Sequence, residues 1–237
     1  MKFIRHAFVI ILSLLLPIIG GVEVLAMSTS FSTELLPEDD MNTLLKNINI
    51  SMLTDEPSRK TIQCFDVNED GLIAIGCSDS ENKTVCVYTC DGVFQYGYSF
   101  KSSGSFGIEF DKSVVNIYLV RSDVAIAVNS VGEVDSILKI QNTSENNSYW
   151  NDSVFSTKRK VGDIEYFLKN DMGILNLFAS SYSQLIIRNN YGEESIMYDV
   201  NSAQFLKMLV VVIGIIVFIC IVTGVVIGEF IKLKRNA

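Results

Sequence analysis

From Arg59 onward the apolar positions of the chain fall into short runs separated by turn residues, among them Leu72 to Ile75, Val85 to Tyr88, Val115 to Val120, Val124 to Val128 and Leu185 to Ile187. The clearest is Phe94-Gln95-Tyr96-Gly97-Tyr98-Ser99-Phe100, where aromatics alternate with small or polar residues at period two. That period predicts a strand with one face buried. Upstream the period changes: Met41, Leu44, Leu45 and Ile48 recur at helical spacing behind Pro37 and the acids Glu38, Asp39 and Asp40, with Lys46 near the far end. Proline and acids in a first turn with a base in the last predict a short helix near residues 37–48, packed on its own domain or docked on a partner.

Two longer apolar blocks sit at the ends. Lys2, Arg5 and His6 precede the run Ala7 to Ile19, and Val24-Leu25-Ala26 offers the compact residues a signal peptidase favours. Residues 1–26 therefore read as a signal peptide, the alternative being an uncleaved N-terminal membrane helix and a two-pass chain. Met208 to Gly228 is 21 residues without a charge, enough at about 1.5 Å per residue to cross a hydrocarbon core of about 30 Å. Lys232, Lys234 and Arg235 follow in the tail, residues 229–237. By the positive-inside tendency they predict a cytoplasmic C-terminus and an extracytoplasmic middle segment on a single-pass protein of the cell membrane. Gly224 and Gly228 form a small-xxx-small spacing, which another helix could approach closely or lipid could simply cover. The last predicted strand ends near Val200, so a tether of about seven residues, spanning at most about 25 Å, holds the domain close to the bilayer.

The strand runs repeat. Cys64-Phe65-Asp66, Glu109-Phe110-Asp111 and Tyr166-Phe167-Leu168 each open a unit that passes through two β-type segments to a turn glycine, Gly92, Gly132 or Gly192, and then a last strand. The expectation is an all-β domain over residues 61–200, preceded by a linker over 27–60 and built from about three four-stranded blade-like units. Three units are fewer than a closed propeller uses, so the array is either open or completed by oligomerisation, and a β-sandwich is the alternative. Gln141 to Lys160, rich in Asn and Ser, reads as an exposed loop between the second and third units. Asn142, Asn146 and Asn151 head Asn-x-Ser/Thr triplets there, as Asn49 and Asn82 do elsewhere. They are glycan acceptors only in a eukaryotic secretory route.

Between Met27 and Lys207 there are 25 acidic and 14 basic residues, a balance of −11 that argues against nucleic acid as a partner. The single histidine, His6, lies in the export segment, so a cleaved chain has none for triad or imidazole–zinc chemistry. Carboxylates are plentiful, but no pair is singled out by spacing. The expectation is no catalytic residue, no cofactor and a non-enzymatic role, with a hydrolase as the remote alternative.

Three smaller motifs carry candidate chemistry. Asp66-Val67-Asn68-Glu69-Asp70-Gly71 matches the opening of a calcium loop, with Asp66, Asn68 and Asp70 as ligands, but its twelfth position is Cys77 rather than a bidentate glutamate. A tight turn explains the same residues. Cys77 and Cys86 face each other if Glu81-Asn82 is a hairpin tip, which makes them a candidate disulfide. Tyr149 and Trp150 offer a stacking surface for a ligand. Lys158-Arg159-Lys160 is a basic cluster suited to a solvated loop or to anionic headgroups.

The runs Phe65 to Ile75 (FDVNEDGLIAI) and Phe94 to Phe110 (FQYGYSFKSSGSFGIEF), with Val120-Arg121-Ser122-Asp123 and the order signal, β-units, anchor, give a chain that resembles uncharacterised membrane-anchored proteins of Gram-positive bacteria with propeller-like blades of the WD or NHL-like kind. The resemblance implies location and fold, and transfers no catalytic residue. The expected role is a membrane-anchored binding or scaffolding protein, a subunit or accessory of a membrane or envelope complex, bound to a protein partner or to further copies of itself. The alternative is an extracytoplasmic carbohydrate- or peptide-ligand sensor.

Overall fold

The computed structural model describes residues 27–235, with side chains through residue 227. Residues 1–26, expected to be a signal peptide, lie outside the described residues. The chain folds into three antiparallel sheets followed by one long helix. The first sheet is a meander of β3 (Ile62–Val67), β4 (Ile73–Asp79), β5 (Asn82–Tyr88) and β6 (Phe94–Lys101). The second repeats it with β7 (Phe106–Asp111), β8 (Val114–Leu119), β9 (Val124–Val128) and β10 (Val134–Ile140). The third uses β11 (Lys158–Val161), β12 (Ile164–Lys169), β13 (Gln184–Arg188) and β14 (Glu194–Asp199). Residues ahead of the sheets add to the outer edges of the first two: β1 (Thr33–Leu35) pairs with β10, and β2 (Ser51–Met52) pairs with β6.

One turn chemistry recurs at four hairpins. In Asn68–Gly71, Thr89–Gly92, Asn129–Gly132 and Asn189–Gly192 the glycine N–H donates to the first residue's carbonyl. The first residue's N–H in turn donates to the carbonyl just past the glycine. All four glycines have φ between +77° and +83°, the left-handed closure of a three-residue hairpin loop. The leading side chain completes the turn, as when Asn68 Oδ1 accepts from Leu72 N at 2.8 Å and Asn129 Oδ1 from Glu133 N at 2.9 Å. The regularity of Gly92, Gly132 and Gly192 along the sequence is this turn.

Alternation along the strands sends apolar side chains to both faces of the first sheet, which lies between the other two. Cys64, Ala74, Val85 and Tyr98 join Phe106, Ile108, Ile117 and Ile126 of the second sheet in one core. Phe65, Ile73, Ile75 and Tyr88 join Tyr166, Leu168, Leu185 and Tyr198 of the third in another. The remaining face of the second sheet is covered by Phe31, Tyr149, Trp150 and Val154 around Tyr118. Helix α1 (Glu38–Ile48) buries Ile48 and half-buries Met41, Leu44 and Leu45 against the first core, so its apolar stripe packs on its own domain.

Three expectations are corrected. Residues 141–160 are not a loop: Ser144–Tyr149 form helix α2, Trp150–Val154 continue as a π-helical turn, and Lys158 opens β11. Asn146 within that segment is buried and bonds Ser32 and Gln141, so it heads no accessible glycan site in the folded chain. The third unit starts a strand earlier than its triplet suggests, because Tyr166-Phe167-Leu168 lies in β12. No tether precedes the membrane segment, since α3 runs unbroken from Asn201 to Arg235, about 52 Å at the helical rise. Within it, residues 201–227 are long and apolar enough to cross a membrane, as a single-pass protein requires.

Candidate functional site

The first strands of the three meanders meet along an inner seam, where Asp66 and Arg159 pair across sheets and Glu109 bonds two tyrosines. Asp66 of β3 accepts from Arg159 Nε of β11 at 2.6 Å and from Phe110 N of β7 at 2.7 Å. Both members of the ion pair are largely buried, with side chains 15% and 13% exposed. The guanidinium also donates to the carbonyls of Val154, Ser156 and Lys158, and its carbon lies 5.3 Å from the Phe65 ring centroid. One carboxylate thus ties all three sheets together. Such a pair is weak as a source of net stability, but removing either partner strands a charge in a low-dielectric interior.

Glu109 on β7 occupies the neighbouring position. Its oxygens accept from Tyr149 Oη at 2.6 Å and Tyr118 Oη at 2.8 Å, and the Tyr118 hydroxyl lies 2.9 Å from Thr29 Oγ1. Burial raises the Glu109 pKa above the usual carboxylate range, and the two tyrosine bonds only partly oppose it. Burial and the bond to Glu109 push the Tyr149 hydroxyl up to about 12. Beside this trio a polar cleft of about 240 Å³ opens, lined by Glu109, Asp66, Asp111, Asn116 and Ser28 to Ser30. Asp111 Oδ2 accepts from Ser28 N at 3.0 Å. Asn116, 1% exposed, donates to Ser28 O at 2.9 Å, while its Oδ1 is buried without a protein partner.

The residues expected to carry chemistry lie differently. Tyr149 and Trp150 are half-buried, with Trp150 against Phe31, Tyr118 and Phe155 at centroid distances of 4.8, 5.9 and 5.6 Å, so they form part of the core rather than an open stacking surface. Of the calcium-type donors, Asp66 is engaged by Arg159 and Phe110, and Asn68 builds its own turn and donates to Lys112 O at 3.0 Å. Asp70 stands exposed on the turn. Among the described residues, no group of three or more His, Cys, Asp or Glu converges to hold a metal ion. Cys77 pairs in register with Thr84 and Cys86 with Ile75, because the hairpin tip is Ser80-Glu81, and both thiols are free. Burial pushes Cys77 up to about 11 and Cys86 up to about 12, which keeps them protonated at neutral pH.

The sequence pointed to Tyr149 only as a stacking surface and to Arg159 only within a basic run; the Asp66–Arg159 pair and the Glu109, Tyr118 and Tyr149 trio were not foreseen. Lys158-Arg159-Lys160 looked like a solvated charge run, yet on β11 its members alternate exposed, half-buried and exposed, and the middle one turns inward. Strand alternation within the basic run was the available signal.

A second feature lies at the opposite side of the sheets. The outermost strands β6 and β10 are covered by β2 and β1, but among the described residues no strand pairs with the outer edge of β14. Ile196 on that strand is 56% exposed. Fold and seam together define a mostly β domain of three antiparallel sheets followed by one candidate membrane-spanning helix. No protein-family model, curated protein or solved structure matches the chain.

Proposed function

We propose that this chain is a membrane-anchored extracytoplasmic binding subunit, an open fan of three propeller-like blades that receives a strand of a partner membrane or envelope protein on β14. The observation that carries this reading is the contrast among the outer edges: two are covered by strands from the chain's own N-terminal region and, among the described residues, the third is bare. An uncovered edge offers a row of main-chain donors and acceptors, and strand addition is the recognition mode that uses them. The basic tail, with Lys232, Lys234 and Arg235, fits a cytoplasmic C-terminus.

The test is the mass of the gently solubilised native complex, compared between the native chain and Ile196→Lys. A lysine on the edge strand opposes strand addition and is expected to weaken the complex at least about tenfold, equivalent to ~1.4 kcal/mol, without unfolding the domain. A complex indifferent to the substitution, or a native chain that is monomeric, overturns the reading. A homo-oligomer that dissociates in the variant assigns the edge to a second copy. The ligand-sensor alternative is favoured by one observation, the buried, unpartnered Asn116 Oδ1 beside the polar cleft.

A further inference from the structure

Between β12 and β13 the chain makes a 3₁₀ turn, Gly173–Phe178, whose polarity is inverted for a water-facing surface. Ile174 and Leu177 are 81% and 83% exposed, and Phe178 is 57% exposed. In a 3₁₀ helix residues three apart eclipse one another, so Ile174 and Leu177 share one face. The polar residue between them, Asn176, is engaged by the domain: its Oδ1 accepts from Met172 N at 3.0 Å and its Nδ2 donates to Asn170 O at 3.2 Å. Met172 beneath it is buried.

Both flanks of this turn are bonded to the start of α3. Asp171 N donates to Asn201 Oδ1 at 3.3 Å and Asp171 O accepts from Asn201 Nδ2 at 2.8 Å. On the other side Ser181 O accepts from Gln204 Nε2 at 3.0 Å. Gln204, 2% exposed, is the last described residue of α3 held inside the domain. Phe205 and Leu206 emerge next, and the uncharged stretch begins at Met208, four residues or about 6 Å further along the helix. The headgroup zone on each side of a bilayer is about 5–8 Å deep. Asn201 lies seven residues, about 10 Å, before Met208, so a turn clamped between Asn201 and Gln204 sits at the outer margin of that zone.

We propose that Ile174, Leu177 and Phe178 form a lipid-dipping lip that seats the third sheet on the outer bilayer surface. The lip rests on α3 spanning the membrane, and it makes the domain's orientation on the bilayer fixed rather than free about its anchor. Lipid is the occupant because the apolar face is continuous with the point at which α3 leaves the domain.

The full chain reconstituted in phosphatidylcholine vesicles, with and without bromine on the acyl chains near the glycerol end, tests this by tryptophan quenching. The native Trp150 emission supplies the baseline. Leu177→Trp is expected to lose about half of its added emission to bromine, as an apolar group at interfacial depth does. Tyr191→Trp, on the β13–β14 turn at the end of β14 away from α3, is expected to lose none. Val217→Trp, at mid-bilayer depth, reports insertion of α3 separately in vesicles with bromine near the acyl-chain ends. Quenching at Val217→Trp with none at Leu177→Trp overturns the lip alone, whereas no quenching at Val217→Trp overturns the spanning helix and the lip with it. Blue-shifted emission at Leu177→Trp without bromine quenching assigns the face to protein and also overturns the lip.

Discussion

The second and third sheets are both meanders of four consecutive strands, yet they are packed very differently. Every residue of β9 in the second sheet is buried. One face lies on the first sheet, the other lies under Phe31, Trp150 and the helical segment, and β1 covers the outer edge. In the third sheet β14 buries only Tyr198, its outer edge is bare among the described residues, and the adjoining 3₁₀ turn presents apolar side chains outward. Packing density that locks a sheet also leaves it little surface for recognition, here only the polar cleft beside Asn116. The second sheet is accordingly the structural anchor, and the third is where partner and membrane are expected to act.

The largest expected effect comes from cutting the seam that holds the two regions in register. Arg159→Ala leaves Asp66 charged and nearly buried, and should cost about 4 kcal/mol in urea unfolding of the full chain in detergent. A loss under about 1 kcal/mol would mean that water reaches Asp66 and that the seam does not join the sheets. Next, a matched pair of truncations measures the contrast itself. Ile126→Ala in β9, at a position that is 0% exposed, should cost about 3 kcal/mol, and Ile196→Ala in β14 at most about 0.5 kcal/mol. Equal losses would show that the third sheet is covered in solution by something that the isolated chain lacks.

The smallest effect is a pH slope. Glu109 has a raised pKa in the folded chain, so between its ordinary value and the raised one the native state holds a proton that the unfolded state has released. Its contribution is therefore most favourable below the ordinary carboxylate range and declines as pH rises through that window. Glu109→Gln should remove this decline, seen as a difference in the slope of stability against pH between the two proteins. The same slope in both would indicate that Glu109 is solvated and that its bonds to Tyr118 and Tyr149 are not maintained.

The turn glycines show how far local chemistry alone is informative. Gly92, Gly132 and Gly192 mark equivalent hairpins because a left-handed residue is a local requirement, satisfied wherever the chain must reverse in three residues. The alternation of Phe94 to Phe100 and the uncharged run from Met208 are likewise local patterns, and each corresponds to an element: β6 and the apolar body of α3. The opening triplets were a weaker guide, since Tyr166 marks a second strand and the other two first strands. The Cys77–Cys86 pairing failed because a one-residue error in the hairpin tip moves every cross-strand partner.

What the sequence by itself determined is the β-rich class, the reversals between strands and the apolar C-terminal helix, because each depends on residues within a few positions of one another. Only the tertiary structure decided which polar groups meet and which edges stay uncovered. Asp66 and Arg159 are 93 residues apart, and Ser32 and Asn146 are 114 apart. Nothing in either neighbourhood encodes the other residue, and the short strands β1 and β2 carry no periodicity long enough to announce the sheets they cover. Those pairings are selected by the global packing of the three sheets, in which a buried polar atom must find a partner wherever the fold brings one.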